Sequence, residues 1–169
     1  MKPQRLLGLP PIASRNTRLL ILGSFPGVAS LTSQQYYAHR QNHFWKILHA
    51  IWPDHDQDAS AGSYEKRSNW LLAKGLGLWD VYASCERDGS LDAAIRNPVV
   101  NDFAQLQRLC PQLCAIAHNG GESYRHARYT VELGLPVYKL PSTSPANASW
   151  SFERKLVAWR AVVAACGLL

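Results

Sequence analysis

The sequence predicts an α/β fold of three layers, a central four-stranded parallel sheet between two layers of helices. Two observations carry this expectation. Four short apolar runs, Leu19–Leu22, Leu78–Tyr82, Leu113–Ala117 and Val137–Leu140, are each bounded by Gly, Pro or polar residues, the pattern of strands buried on both faces. Helical patterns stand between them, and strands that alternate with helices in this way form a parallel sheet covered on both sides.

The first run follows Arg18 and stops at Gly23, as a strand ending in a turn does. The spacing predicts a helix over Phe44–Ile51, stopped by Trp52 and Pro53. The polar stretch from Asp54 to Gly62 reads as a loop within one domain spanning 1–169. Asn101 and Asp102, with Gln105 three residues beyond the latter, mark a helix start, and that helix runs to Pro111. A further helix is expected from Gly120 to Leu133, ended by Gly134 and Pro136. The clearest stripe is the last: Phe152, Leu156, Trp159, Val163 and Cys166 recur at helical spacing. No repeat or low-complexity tract interrupts the series.

With 18 Lys and Arg against 12 Asp and Glu, the formal charge is +6 and the pI about 9.3. Such a surface is drawn to polyanions. Nucleic acid fits, an anionic membrane surface fits on charge alone, and so does a solvated basic surface with no partner. No apolar run approaches the ~20 residues that span a bilayer, and the proline-interrupted start, Met1 to Arg18, is not a signal peptide. Cys85, Cys110, Cys114 and Cys166 lack the CxxC pairing of metal sites. His39 and His43 stand four apart without a third ligand nearby. The expectation is a reduced, cytoplasmic protein with no metal and no cofactor.

In a parallel sheet, ligands bind beyond the carboxyl ends of the strands, so the informative loops are those that follow each run. Gly23-Ser24-Phe25-Pro26-Gly27 leaves the first with two glycines that let backbone approach a ligand closely. It has neither the GxGxxG of dinucleotide sites nor the GK[ST] of phosphate loops. Gln34-Gln35-Tyr36-Tyr37-Ala38-His39 and then Asn42-His43-Phe44-Trp45-Lys46 follow it. The third run leads to His118-Asn119-Gly120-Gly121, and the fourth to Leu140-Pro141-Ser142-Thr143-Ser144-Pro145.

Taken together, these segments resemble the motifs of the uracil-DNA glycosylase superfamily over roughly Leu19 to Trp159. The Gly-Ser-Phe-Pro turn with its downstream Asn-His-Phe-Trp is most similar to the hypoxanthine-DNA glycosylase branch. The resemblance implies a monofunctional enzyme that hydrolyses the N-glycosidic bond of a deaminated base in base excision repair. Its partner would be double-stranded DNA containing the damaged base. A simple monomer is expected, associated with the nucleoid through its DNA. Removal of uracil or mismatched bases, and a non-catalytic DNA-binding module on the same fold, are the alternatives.

The resemblance also distributes roles. Phe25 stands where the mismatch-specific branch carries its catalytic Asn, and the first loop holds no carboxylate, so the catalytic amide falls to Asn42, which is also a favoured helix cap. Gly23, Ser24 and Phe25 would wall the base, with Tyr36 or Tyr37 as a second wall. Asn119 would read the base edge, His118 would donate to the leaving base, and His43 would line the pocket or touch phosphate. Ser142, Thr143, Ser144 and Pro145 would grip the DNA backbone, their hydroxyls and backbone N–H groups suiting phosphate contacts.

Overall fold

The computed structural model describes residues 4–53 and 63–169. Its strands are β1 (Arg5–Leu7), β2 (Leu19–Gly23), β3 (Leu76–Asp80), β4 (Tyr82–Glu86), β5 (Arg96–Val100), β6 (Ala115–Asn119) and β7 (Val137–Leu140). Its helices are α1 (Val28–Ser33), α2 (Phe44–Ile51), α3 (Tyr64–Ala73), α4 (Phe103–Leu109), α5 (Gly121–Tyr124), α6 (Ala127–Val131) and α7 (Phe152–Ala165), with a 3₁₀ turn at Asp92–Ala94. The main sheet runs β3-β2-β6-β7, all parallel, as the apolar runs predict.

Every residue of β2 is buried, and the pleat explains why an uninterrupted apolar run was needed. Leu19 and Ile21 pack with Phe44, Ile47 and Leu48 of α2, Leu71 of α3, and Trp159 and Val163 of α7. Leu20 and Leu22 point the other way, into a second cluster with Val81, Tyr82 and α4 residues Phe103 and Leu106. Alternate side chains of one strand thus feed two cores.

Four expectations shift. The run Leu78–Tyr82 is two strands, because the chain bends at Val81, where Val81 N–H donates to Gly23 O and Val81 O accepts from Asn101 N–H. Beyond the bend, β4 leaves the parallel sheet and pairs antiparallel with β1 and β5 in a separate three-stranded sheet. The third strand begins at Ala115 rather than Leu113, since Leu113 N–H closes a turn onto Cys110 O. The helix expected over Gly120–Leu133 is two short helices, broken where His126 leaves helical geometry (φ −103°, ψ 16°). The expected loop at 54–62 lies outside the described residues.

The N-terminal segment also folds. β1 pairs with β4, and Ile12 exchanges two backbone hydrogen bonds with Leu78. All four cysteines are free thiols. Among the described residues, no helix is long and apolar enough to cross a membrane.

Deleting a buried branched side chain leaves a cavity that its neighbours fill only partly. Ile47→Ala is therefore expected to lower unfolding stability by about 2–5 kcal/mol, whereas Val157→Ala, on the exposed face of α7 (68% exposed), stays within about 0.5 kcal/mol. Urea unfolding of the two variants beside the parent checks both values.

Candidate active site

The carboxyl ends of the main strands form one rim. Gly23 stands in register with Asp80, and Asn119 with Leu140. These four residues line a cavity of about 1190 Å³, walled by the loop after β2, by Tyr36, Tyr37, His39 and Asn42, by Ser90–Ala93, and by the loop after β7. The motifs separated in sequence therefore meet at one place, and the space is ample for a nucleotide base with its sugar.

Asn119 is the knot of this rim. Its Oδ1 accepts from Thr143 N–H at 3.0 Å, while its Nδ2 donates to Thr143 Oγ1 at 3.0 Å and to the Tyr37 hydroxyl at 3.2 Å. Thr143 O in turn accepts from His43 N–H at 3.0 Å. Both amide protons of Asn119 are thus committed within the protein, which leaves one lone pair of Oδ1 for any ligand. Gly120 follows at φ +100°, and a Cβ there would sit 2.9 Å from the Ser142 Cβ, so the close approach of β6 to the loop requires glycine.

This knot revises what the serine-rich loop can offer. Thr143 is 1% exposed, with its N–H, O and Oγ1 all taken, so it braces the loop instead of facing the solvent. Ser144 N–H donates to Ser142 Oγ, Ala146 N–H to Ser144 Oγ and Asn147 N–H to Ser144 O. The backbone N–H groups of Thr143, Ser144, Ala146 and Asn147 are therefore occupied. What the loop presents outward includes the hydroxyl protons of Ser142 and Ser144, beside an exposed Pro145.

The first loop is equally tied down. The Ser24 hydroxyl donates to Asp92 Oδ1 at 2.7 Å. Phe25 is 6% exposed and lines the cavity, with the Arg87 guanidinium 5.3 Å from its ring centre. Arg87 also donates to Pro26 O, so the turn and its aromatic ring are held by one cation. Tyr37 adopts φ +54°, a left-handed conformation unusual for a tyrosine, and its ring stacks on Phe44 at 4.1 Å. Of the two candidate tyrosines, Tyr36 sends its hydroxyl to Leu9 O and Pro10 O, whereas Tyr37 holds Asn119.

Asn42 lines the cavity, and its Oδ1 accepts from Phe44 N–H at 2.9 Å. The cap position itself is His43, which makes no side-chain cap hydrogen bond; Asn42 stands one residue earlier, its oxygen bracing the first N–H of α2 and its amide Nδ2 left to donate. His43 turns away. Its Nδ1 accepts from the buried Lys155 of α7 at 3.2 Å, and its ring meets Phe152 edge-on. Burial, with Lys155 next, holds the His43 imidazole below its ordinary pKa. It ties α7 to α2 and takes no part in the cavity wall.

His118 is a correction. It precedes Asn119 on the same strand, so the pleat turns it to the opposite face. It is fully buried, with Nδ1 on Ser123 Oγ and Nε2 on Thr130 Oγ1, both at 2.8 Å. It pins α5 and α6 to the sheet and does not reach the base.

Sequence reasoning missed the carboxylates. Asp80, at the end of β3, is 5% exposed and lines the cavity, and its Oδ2 is buried with no hydrogen-bond partner. Burial pushes its pKa up to about 7, the charge of Asp92 adds to the rise and Arg87 opposes it. The signal was present, since an acidic residue interrupts the apolar run Leu78–Tyr82, but no motif marks it. Among the described residues, no cluster of three or more His, Cys, Asp or Glu side chains stands where it could hold a metal ion.

A family model described as the uracil DNA glycosylase superfamily matches residues 10–163. A hypoxanthine DNA glycosylase of Methanosarcina acetivorans is 37% identical over 156 residues, 92% of this chain and 96% of the relative. One of Methanosarcina barkeri is 35% identical over 148 residues, 88% of this chain and 92% of the relative. The solution NMR structure of a Methanosarcina acetivorans protein assigned as a uracil DNA glycosylase superposes with a TM-score of 0.85 at 32% identity, covering 97% of this chain and 99% of that one.

Burial lowers the His118 pKa from the ordinary 6.5 to about 4, so the ring takes up a proton only well below neutrality. An NMR titration is expected to show it neutral at pH 5.5. A ring that titrates at 6 or above would contradict the packing described.

Proposed function

The chain belongs to the uracil DNA glycosylase superfamily, and from that premise we propose that it is a monofunctional DNA glycosylase that releases hypoxanthine from deoxyinosine sites in duplex DNA, the first step of base excision repair. It works as a single-domain monomer in the cytoplasm, held near the nucleoid by its substrate. The names of its two relatives support the substrate. The observation that carries the chemistry is Asn42, a carboxamide fixed at the head of α2 and facing the cavity.

A stacked base is out of reach, so the nucleotide must rotate out of the helix into the cavity. The net charge of +6 draws the DNA in, and the Ser142 and Ser144 hydroxyls donate to phosphates beside the flipped nucleotide. Phe25 offers the base an aromatic face, and Gly23 and Ser24 form the adjoining wall. Tyr37 and Asn119 bound the far side, with the free Oδ1 lone pair of Asn119 able to accept from the base.

The C1′–N9 bond then breaks, its electron pair leaving with hypoxanthine. The sugar carries developing positive charge, as in other glycoside hydrolyses. Asn42 Nδ2 donates to the attacking water or to the departing base. Water adds its oxygen to C1′, and its released proton ends on the base. An abasic sugar and neutral hypoxanthine result, with the DNA strand intact, so strand scission appears only after alkali. The reaction is redox-neutral and consumes only water.

The test is base release from inosine duplexes, read as alkali-induced cleavage, with uracil duplexes in parallel. Asn42→Ala is expected to slow release by about 100-fold or more, the usual cost of removing one positioned donor, with its unfolding midpoint lowered only modestly. Release from uracil but not from inosine, or an Asn42→Ala rate equal to the parent's, overturns the proposal.

A further inference from the structure

We propose that Arg87 is a positioning residue for base release, a buried guanidinium that holds the Phe25 ring in the cavity wall so that the flipped base meets a fixed aromatic face. This role rests on the glycosylase reading above, in which Phe25 is that face.

Arg87 follows β4 directly and stands two residues beyond the buried Cys85, so strand alternation turns its side chain inward. It is 8% exposed. Its Nη2 donates to Pro26 O, and the guanidinium carbon stands 5.3 Å from the centre of the Phe25 ring. Gly8 closes another side of the ring, where a Cβ would lie 3.5 Å from Phe25 Cε1 and 3.2 Å from Ala83 O. The segment that continues from Arg87 grips the same turn twice more: Ser90 Oγ accepts from Val28 N–H at 2.9 Å, and Asp92 Oδ1 accepts from the Ser24 hydroxyl at 2.7 Å. Ser24, Pro26 and Val28 are thus held by one arm of the chain, and Phe25 between them is held through its ring.

A guanidinium is a costly way to fill this place. Its Nε and Nη1 are buried with no hydrogen-bond partner among the described residues, and a buried charge is unfavourable unless it is paired and fully hydrogen-bonded. Burial works against the charge, while Cys85, Asp92 and Asp80 are the nearby groups that favour it. An apolar side chain of similar length would fill the space, but it would neither attract the ring face nor fix Pro26 O. What the cation supplies is orientation. A base resting on a ring free to shift is aligned with water and Asn42 for less of its time in the cavity. Buried beneath the turn, Arg87 adds nothing to the phosphate grip.

A double-mutant cycle on the single-turnover rate of base release tests this role, with the parent, Phe25→Leu, Arg87→Met and the double variant run on inosine and uracil duplexes. Arg87→Met is expected to slow release by about 10- to 100-fold, while binding to undamaged duplex of the same sequence keeps the parent's affinity. The double variant should be no slower than Phe25→Leu alone, because Arg87 acts through that ring. Independent, multiplying losses overturn the proposal, as do an unchanged rate in either single variant and weakened binding of Arg87→Met to undamaged duplex. If Arg87→Met fails to fold, Arg87→Lys, which keeps the charge and loses the planar fork, takes its place in the cycle. ¹⁹F NMR of the free, fluorophenylalanine-labelled protein needs no turnover. The Phe25 resonance, identified by its loss in Phe25→Leu, should shift and broaden in the Arg87 variant while those of Phe44 and Phe152 stay in place. Release of neither base by the parent counts against the glycosylase reading, and the ring resonance still decides whether Arg87 holds Phe25; an unmoved resonance overturns the proposal by itself.

Discussion

The reciprocal hydrogen bonding of Asn119 and Thr143 organises the site. Two bonds of 3.0 Å lock the end of β6 to the loop after β7, and Thr143 O extends the lock to the head of α2 through His43 N–H. The remaining Asn119 proton holds Tyr37, whose left-handed backbone is tolerable because Phe44 stacks beneath it. Three segments far apart in sequence are thus referred to one buried carboxamide. Each such bond contributes about 0.5–1.5 kcal/mol, while orphaning a buried partner costs about 1–3 kcal/mol, so the knot is far easier to keep than to half-break.

That constraint separates gripping DNA from reading the base. The loop amides of Thr143, Ser144, Ala146 and Asn147 are used internally, so in the proposed mode of binding the loop meets the phosphates already shaped. Rigidity of this kind lowers the ordering cost of binding. The floor of the cavity is a different environment. There burial makes Asp80 reluctant to ionise, which lessens the negative charge that a polyanionic substrate meets. In the proposed reaction the basic exterior and the cavity floor serve successive stages of one encounter.

Much of this was legible in the sequence because the governing patterns are local. Leu19–Leu22 could only be a doubly buried strand, and the Phe152–Cys166 stripe could only be a packed helix. The loops after the strands were identifiable from topology. What was not legible depends on register or on distant partners. His118 and Asn119 are neighbours in sequence, and only the pleat decides which one faces the cavity. Val81 bends without a turn residue, and β5 carries Pro98 and mostly exposed side chains, so nothing announced the antiparallel sheet. Asp80 reads as one residue within the run Leu78–Tyr82 until Gly23 is seen opposite it.

A double-mutant cycle measures the coupling between Asn119 and Thr143 most directly. Unfolding free energies of the parent, Asn119→Ala, Thr143→Ala and the double variant should reveal a coupling of at least about 1 kcal/mol, with the two single losses overlapping. Strict additivity would mean that the two residues are not held together, and the description of the site as one braced assembly would fail.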